Sequence, residues 1–308
     1  QKNKNRIIEN KINSKGFRGK EFTENKNSLN RIISLGGSTT MGLGSEYDMT
    51  YPAQLESMLK NEKIDVEVLN FGLSSKSLSF IRKLLFSEAI NYDPDLIIIY
   101  SNRNPALYDS QGTKINIEKD NQNIFIKKVN LFLVDNIMTF RLIFKTYRKI
   151  ISMSISSDKI ISPHNVNVEH NIYYFTDQYK DTLEEIILFC KQKNIKVALV
   201  KQAVLFDEKI QKKIELETSK NLIETLKNLR NEPLYDFNYA ESFWITTNAI
   251  LNKDLDLLSH HENTIIIDPV HELIKNKDNF SDYIHLTDKG NTVLAESIFL
   301  KIKDVLRK

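Results

Sequence analysis

"RIISLGGSTTMG", residues 31–42, runs an apolar segment of strand length straight into two glycines and a serine. Ile32, Ile33 and Leu35 make the first half nearly continuous in apolar side chains, as in a strand covered on both faces. Gly36 and Gly37 let the backbone leave that strand and enter a helix at once, so Ser38 is expected to project above a sheet with a helix N-terminus beneath it. Four further runs share the strand pattern: "VEVLNFG" at 66–72, "DLIIIYS" at 95–101, "KVALVKQ" at 196–202 and "TIIID" at 264–268. Amphipathic helices are expected between them at 51–62, 75–91, 175–194, 208–230 and 288–306, with Thr176 as N-cap of the third and Thr287 of the last. Strand and helix in alternation require crossover connections and hence parallel pairing. The fold expected is α/β, a three-layer α/β/α sandwich with a central parallel sheet of about five strands in the flavodoxin-like manner.

The chain has 308 residues, 41% of them hydrophobic and 27% charged, enough to bury a sizeable core, and no Pro/Gly/Ser-rich linker divides it. A single domain over 31–308 is expected, preceded by an arm at 1–30 and interrupted by an insertion at about 105–170. Lys plus Arg number 43 against 40 Asp plus Glu, alternating in sign, so no nucleic-acid partner is expected. The single cysteine, Cys190, excludes an internal disulfide and a Cys-rich metal site, and lies on an apolar helix face. No apolar run approaches the roughly 20 residues that span a bilayer. Because the chain begins with Gln, a leading segment is expected before it, which leaves room for a signal or anchor. An exported or membrane-anchored location is then open to the protein, with a cytoplasmic location as the alternative.

Residues 1–30 are dominated by Lys, Asn and Glu and read as a surface arm rather than core, with "NSKGFRG" forming a shaped turn around Phe17 and Arg18. Inside the insertion, "NLFLVDNIMTFRLIFKTYRKIISMSI" is apolar with interspersed Arg and Lys. A helix packed on the core with a basic outer edge is preferred to a membrane-surface helix. An insertion after the third strand stands over the carboxyl ends of the strands, where a lid or substrate wall belongs.

Polar residues just beyond the strands are the ones to examine, because open α/β sheets bind ligands at that rim. They are Gly36–Thr40, Asn70–Gly72 and Ser101–Pro105, joined near the C-terminus by "SDYIHLTDKGN" with Asp282 and His285. This set supplies what acyl transfer from an ester requires: Ser38 as nucleophile, His285 as base and Asp282 to orient the base. The oxyanion donors expected are the Ser38 and Gly72 backbone N–H groups and the Asn104 side-chain amide, with Asn102 as its rival. No metal and no cofactor is called for. His260–His261 read as a solvated turn, His164, His170 and His271 as surface, and Trp244 as a helix residue of the core rather than a sugar platform.

"LGGSTTMG", "NFGLSS", "SNRNP" and "SDYIHLTDKGN", in this order and spacing, resemble the four sequence blocks of the SGNH hydrolases, the GDSL esterase/lipase superfamily. The opening "NSKGFRGKEF" resembles an arm that precedes the serine block in a bacterial subgroup with a GGSTT-type block, many of whose members are exported or membrane-anchored. The resemblance spans most of residues 31–306. It implies Ser38, Asp282 and His285 as a catalytic triad and Gly72 and Asn104 as oxyanion-hole residues. The third block departs from the usual Gly-x-Asn-Asp, with Asn102 in place of the glycine and Pro105 in place of the aspartate. The function implied is a serine ester hydrolase that removes an acyl group, often acetyl, from a carbohydrate or lipid through an acyl-enzyme. An O-acetyltransferase acting on a cell-surface glycan with the same triad is the alternative, and a non-catalytic glycan-binding module is the third reading.

Overall fold

The computed structural model describes residues 11–26, 30–101, 168–205 and 239–306, of which 168–177 and 239–247 are described by backbone alone. Five strands form one all-parallel sheet: β1 (Asn30–Gly36), β2 (Val66–Gly72), β3 (Leu96–Tyr100), β4 (Lys196–Val200) and β5 (Thr264–Ile267), in the order β2-β1-β3-β4-β5. This is a doubly wound order whose direction of winding reverses between β1 and β3, where the crevice of such sheets opens. Gly36 of β1 lies opposite both Gly72 and Tyr100, so the segments leaving β1, β2 and β3 start level at one rim.

The described helices are α1 (Ser38–Met41), α2 (Tyr51–Asn61), α3 (Leu78–Ser87), α4 (Val168–Gln192), α5 (Tyr239–Leu257), α6 (Val270–Ile274) and α7 (Asp288–Ile302). Because side chains alternate along a strand, Ile32, Val68, Ile98 and Ala198 face one way and pack with Leu55 and Leu59 of α2 and Leu294 and Ile298 of α7. Ile33, Leu35, Ile97 and Leu199 face the other way, on the side of the buried stripe of α3 (Leu78, Ile81, Leu85) and α4 (Leu183, Ile186, Cys190). Each such buried aliphatic side chain contributes about 2 kcal/mol of apolar burial. The three-layer α/β/α sandwich follows from these two apolar faces.

Several boundaries differ from the sequence reading. Helix α4 begins at Val168, so Thr176 lies inside it rather than capping it. The helix expected at 75–91 is α3 followed by a 3₁₀ turn, Ala89–Tyr92, and Ser77 is its cap, accepting from the Phe80 N–H at 3.3 Å. Thr287 caps α7 as expected, accepting from the Gly290 N–H at 3.3 Å. Three of the four β5 residues are only half-buried because β5 is a sheet edge, not an interior strand. The helix expected at 208–230 and the insertion segment up to residue 167 lie outside the described residues. Among the described residues, no helix is long and apolar enough to cross a membrane.

The arm departs most from expectation, because residues in it are core. Phe17 is 4% exposed and stacks on Phe71 of β2 with ring centroids 3.6 Å apart, while Phe22 meets the edge of Tyr92. Its turn is built by Asn13, whose Oδ1 accepts from the Lys15 and Phe17 N–H groups, with Gly16 at φ +86°. Few apolar residues sufficed, because Phe17 and Phe22 both sit against Phe71 of the outermost strand on that side of the sheet.

Candidate active site

Ser38 is the first residue of α1, and its N–H, in the first turn, has no intrahelical acceptor. The first of the two glycines before it, Gly36, is needed for closeness. A Cβ on Gly36 would come within 2.0 Å of Thr40 Oγ1 and 2.4 Å of the Tyr100 carbonyl oxygen; Gly37, at φ −90°, is not left-handed. Thr40, fully buried, donates its hydroxyl to the Tyr100 carbonyl at 3.0 Å and so fastens α1 to the end of β3. Burial pushes the Tyr51 phenol beside it up to about 12, which keeps that hydroxyl a neutral donor to Thr40.

His285 arrives on the loop between β5 and α7. Its Nε2 lies 2.9 Å from Ser38 Oγ, and its Nδ1 lies 2.7 Å from Asp282 Oδ2. A carboxylate can only accept, so Nδ1 carries the proton and Nε2 of the neutral ring is left to accept from the serine hydroxyl. Asp282 also organises the loop: its Oδ1 accepts from the Ile284 and His285 backbone N–H groups, both at 2.8 Å. Buried Ile284 and Leu286 anchor the loop from below, and the Tyr283 carbonyl accepts from the Leu205 N–H beyond β4. Burial pushes the Asp282 carboxyl up, but the His285 and Ile284 hydrogen bonds outweigh it and hold the group below its ordinary value.

The Gly72 N–H, expected as an oxyanion donor, donates to Asn70 Oδ1 at 2.9 Å in this structure. The residue is a glycine because α1 passes so near: an added Cβ would meet the Met41 nitrogen at 2.1 Å. Asn104 and Asn102 lie outside the described residues. Three residues to which the sequence reading gave no part in the site shape it. Arg18 reaches the carbonyls of Met41, Gly42 and Ser45, and Asn291 of α7 donates to the Ser45 hydroxyl at 3.1 Å. The signal for Arg18 was its place in the "NSKGFRG" turn, and for Asn291 the end of the block "SDYIHLTDKGN"; for Ser45 there was none. A cleft of about 230 Å³ between arm and β2, lined by Phe17, Arg18, Glu56 and Asn70 among others, includes neither Ser38 nor His285.

Among the described residues no cluster of His, Cys, Asp or Glu has the arrangement of a metal site. His260 and His261 stack on each other, and His260 and His271 are exposed. Trp244 falls in α5 as expected for a helix residue, in the part described by backbone alone.

No family model and no curated protein matches the sequence. Among solved structures, the chain is similar to a lipase/acylhydrolase from Enterococcus faecalis (14% identity, TM-score 0.48, covering 90% of this chain and 97% of that one). It is also similar to an acetylxylan esterase from Geobacillus stearothermophilus, solved as a catalytic mutant (12%, 0.48, 89% and 94%). A third is a protein from Desulfitobacterium hafniense DCB-2 assigned to the lipolytic G-D-S-L family (10%, 0.48, 88% and 98%). Such likenesses, with TM-scores below 0.5, decide neither the activity nor the substrate of this chain.

Proposed function

We propose that this chain is a serine ester hydrolase of the SGNH kind, acting on an acyl ester of a carbohydrate or lipid. The observation that carries the reading is the unbroken chain of contacts Ser38 Oγ, His285 Nε2, His285 Nδ1, Asp282 Oδ2, which joins residues 247 positions apart at the rim where such sheets bind ligands. The four blocks of sequence that resemble this superfamily support it from a separate direction.

In this reading, Ser38 Oγ attacks the ester carbonyl while His285 Nε2 takes its proton, and Asp282 holds the ring in the required tautomer and stabilises the imidazolium. The Ser38 backbone N–H stands where the oxyanion develops, with the amide of Asn104, or of its rival Asn102, as second donor. Collapse of the tetrahedral adduct expels the alcohol, which takes the proton from His285 and leaves an acyl-serine. Water, deprotonated by His285, then releases the acid.

The test compares the protein with Ser38→Ala on p-nitrophenyl acetate. A loss of at least about 10⁴-fold in kcat is expected. Equal turnover by the two proteins would sink the reading. Serine-dependent acetylation of an added oligosaccharide in preference to water would keep the nucleophile and reassign the acceptor.

A further inference from the structure

We infer that Arg18, on the N-terminal arm, is a positioning residue for Ser38, holding the far end of the one-turn helix that presents the nucleophile. The inference rests on the reading of Ser38 given above. Helix α1 has four residues, too few to be stable by its own hydrogen bonds. Its last carbonyls need outside donors. The Gly42 and Leu43 N–H groups serve the Ser38 and Thr39 carbonyls, and Arg18 takes the end of the turn: Nη1 donates to the Met41 and Gly42 carbonyls at 2.9 and 2.7 Å, and Nη2 to the Ser45 carbonyl at 2.5 Å. The side chain is 2% exposed, so it does not touch the ester. A guanidinium at a helix C-terminus is also favourably placed in the field of the peptide dipoles.

The same stretch is fastened from the opposite direction. Asn291 of α7 donates to Ser45 Oγ at 3.1 Å and accepts from the Tyr51 N–H at 3.1 Å. Ser45 therefore receives the arm on its carbonyl and the helix that follows His285 on its hydroxyl. Through this residue the serine turn and the histidine loop share one register. Lysine cannot replace the clamp, since an ammonium is a point charge without the planar fork that spans several carbonyls.

The experiment measures kcat and KM on p-nitrophenyl acetate, and backbone hydrogen exchange at 38–45, for the full chain, Arg18→Lys, Arg18→Met and Arg31→Met. Arg31 is the control: it is buried, binds the same arm and does not reach α1. For Arg18→Lys, kcat should fall about 10–100-fold, the scale of a misplacement near 1 Å, with KM unchanged. Arg18→Met should fall further, and exchange at 38–45 should accelerate in both. Arg31→Met should lower the unfolding midpoint but leave kcat and that exchange alone. Unchanged kcat and exchange in both Arg18 variants would overturn the inference, as would an equal loss of kcat in folded Arg31→Met. If the wild type shows no Ser38-dependent turnover, the hydrolase reading falls. The clamp is then judged by exchange: acceleration in the Arg18 variants alone upholds it, and its absence overturns it.

Discussion

The two buried arginines among the described residues sit at opposite ends of the sheet and are satisfied in different ways. At the amino end, Arg31 makes four hydrogen bonds, to Glu67 and to the Glu24, Tyr92 and Thr23 carbonyls, and its Nη2 also forms an ion pair with Glu67. At the carboxyl end, Arg18 uses three donors, all on backbone carbonyls, and its Nε finds no protein partner among the described residues; neither does the nearby Asn70 Nδ2. The first arrangement is a neutralised ion pair that closes the bottom of the fold. The second places a cation on the turn that carries Ser38 and leaves some polar groups unsatisfied. Around Arg31, where the demand is stability alone, every guanidinium nitrogen is paired; around Arg18, where the demand is a geometry, Nε is left over.

The contrast can be broken most forcefully at Gly72. In Gly72→Ala the new methyl meets the Met41 nitrogen, backbone against backbone, with no side chain free to yield. A rate loss of about 100-fold is expected from the displaced helix, with about 1–3 kcal/mol of stability lost to overpacking. Wild-type kcat in this variant would mean that α1 tolerates movement. At the other end, Arg31→Met removes the cation that neutralises Glu67 and should cost about 3 kcal/mol in denaturant unfolding, while kcat in the folded fraction stays the same. A fall in kcat there would erase the distinction between the two ends.

Acid should sharpen it gently. Asp282 has its carboxyl held below the ordinary 3.8, so its contribution is fully present above that value. It is lost as pH falls through the lowered folded value, when the protonated group releases His285 and Ile284. Protection of the 282–286 amides, taken relative to the intrinsic exchange rate at each pH, should therefore fall only in that acidic window, and Asp282→Asn should abolish the dependence. A loss of protection that begins near neutrality would contradict it.

Much of the sheet was legible from residues. Runs such as "IIIY" leave no polar face for water, so strand type and position followed from composition alone, and the β2 bounds were read without error. Helix starts were harder. Thr176 has the chemistry of a cap, yet α4 continues through it, because local capping preference is weak beside the packing of a long helix. The arm misled for a related reason: hydropathy averaged over thirty polar residues hides single side chains such as Phe17 and Arg18, whose burial depends on what they meet.

What the sequence determined by itself was the layered architecture and the identity of Ser38, Asp282 and His285 as residues to watch, since strand pattern and residue chemistry are local properties. The tertiary structure decided which of their neighbours matter. It made Gly36 and Gly72 obligatory through close approach to Tyr100 and Met41, and brought Arg18 and Asn291 to one turn. Hydrogen bonds and steric contacts between residues tens to hundreds of positions apart exist only once the chain has packed, so no reading along the sequence contains them.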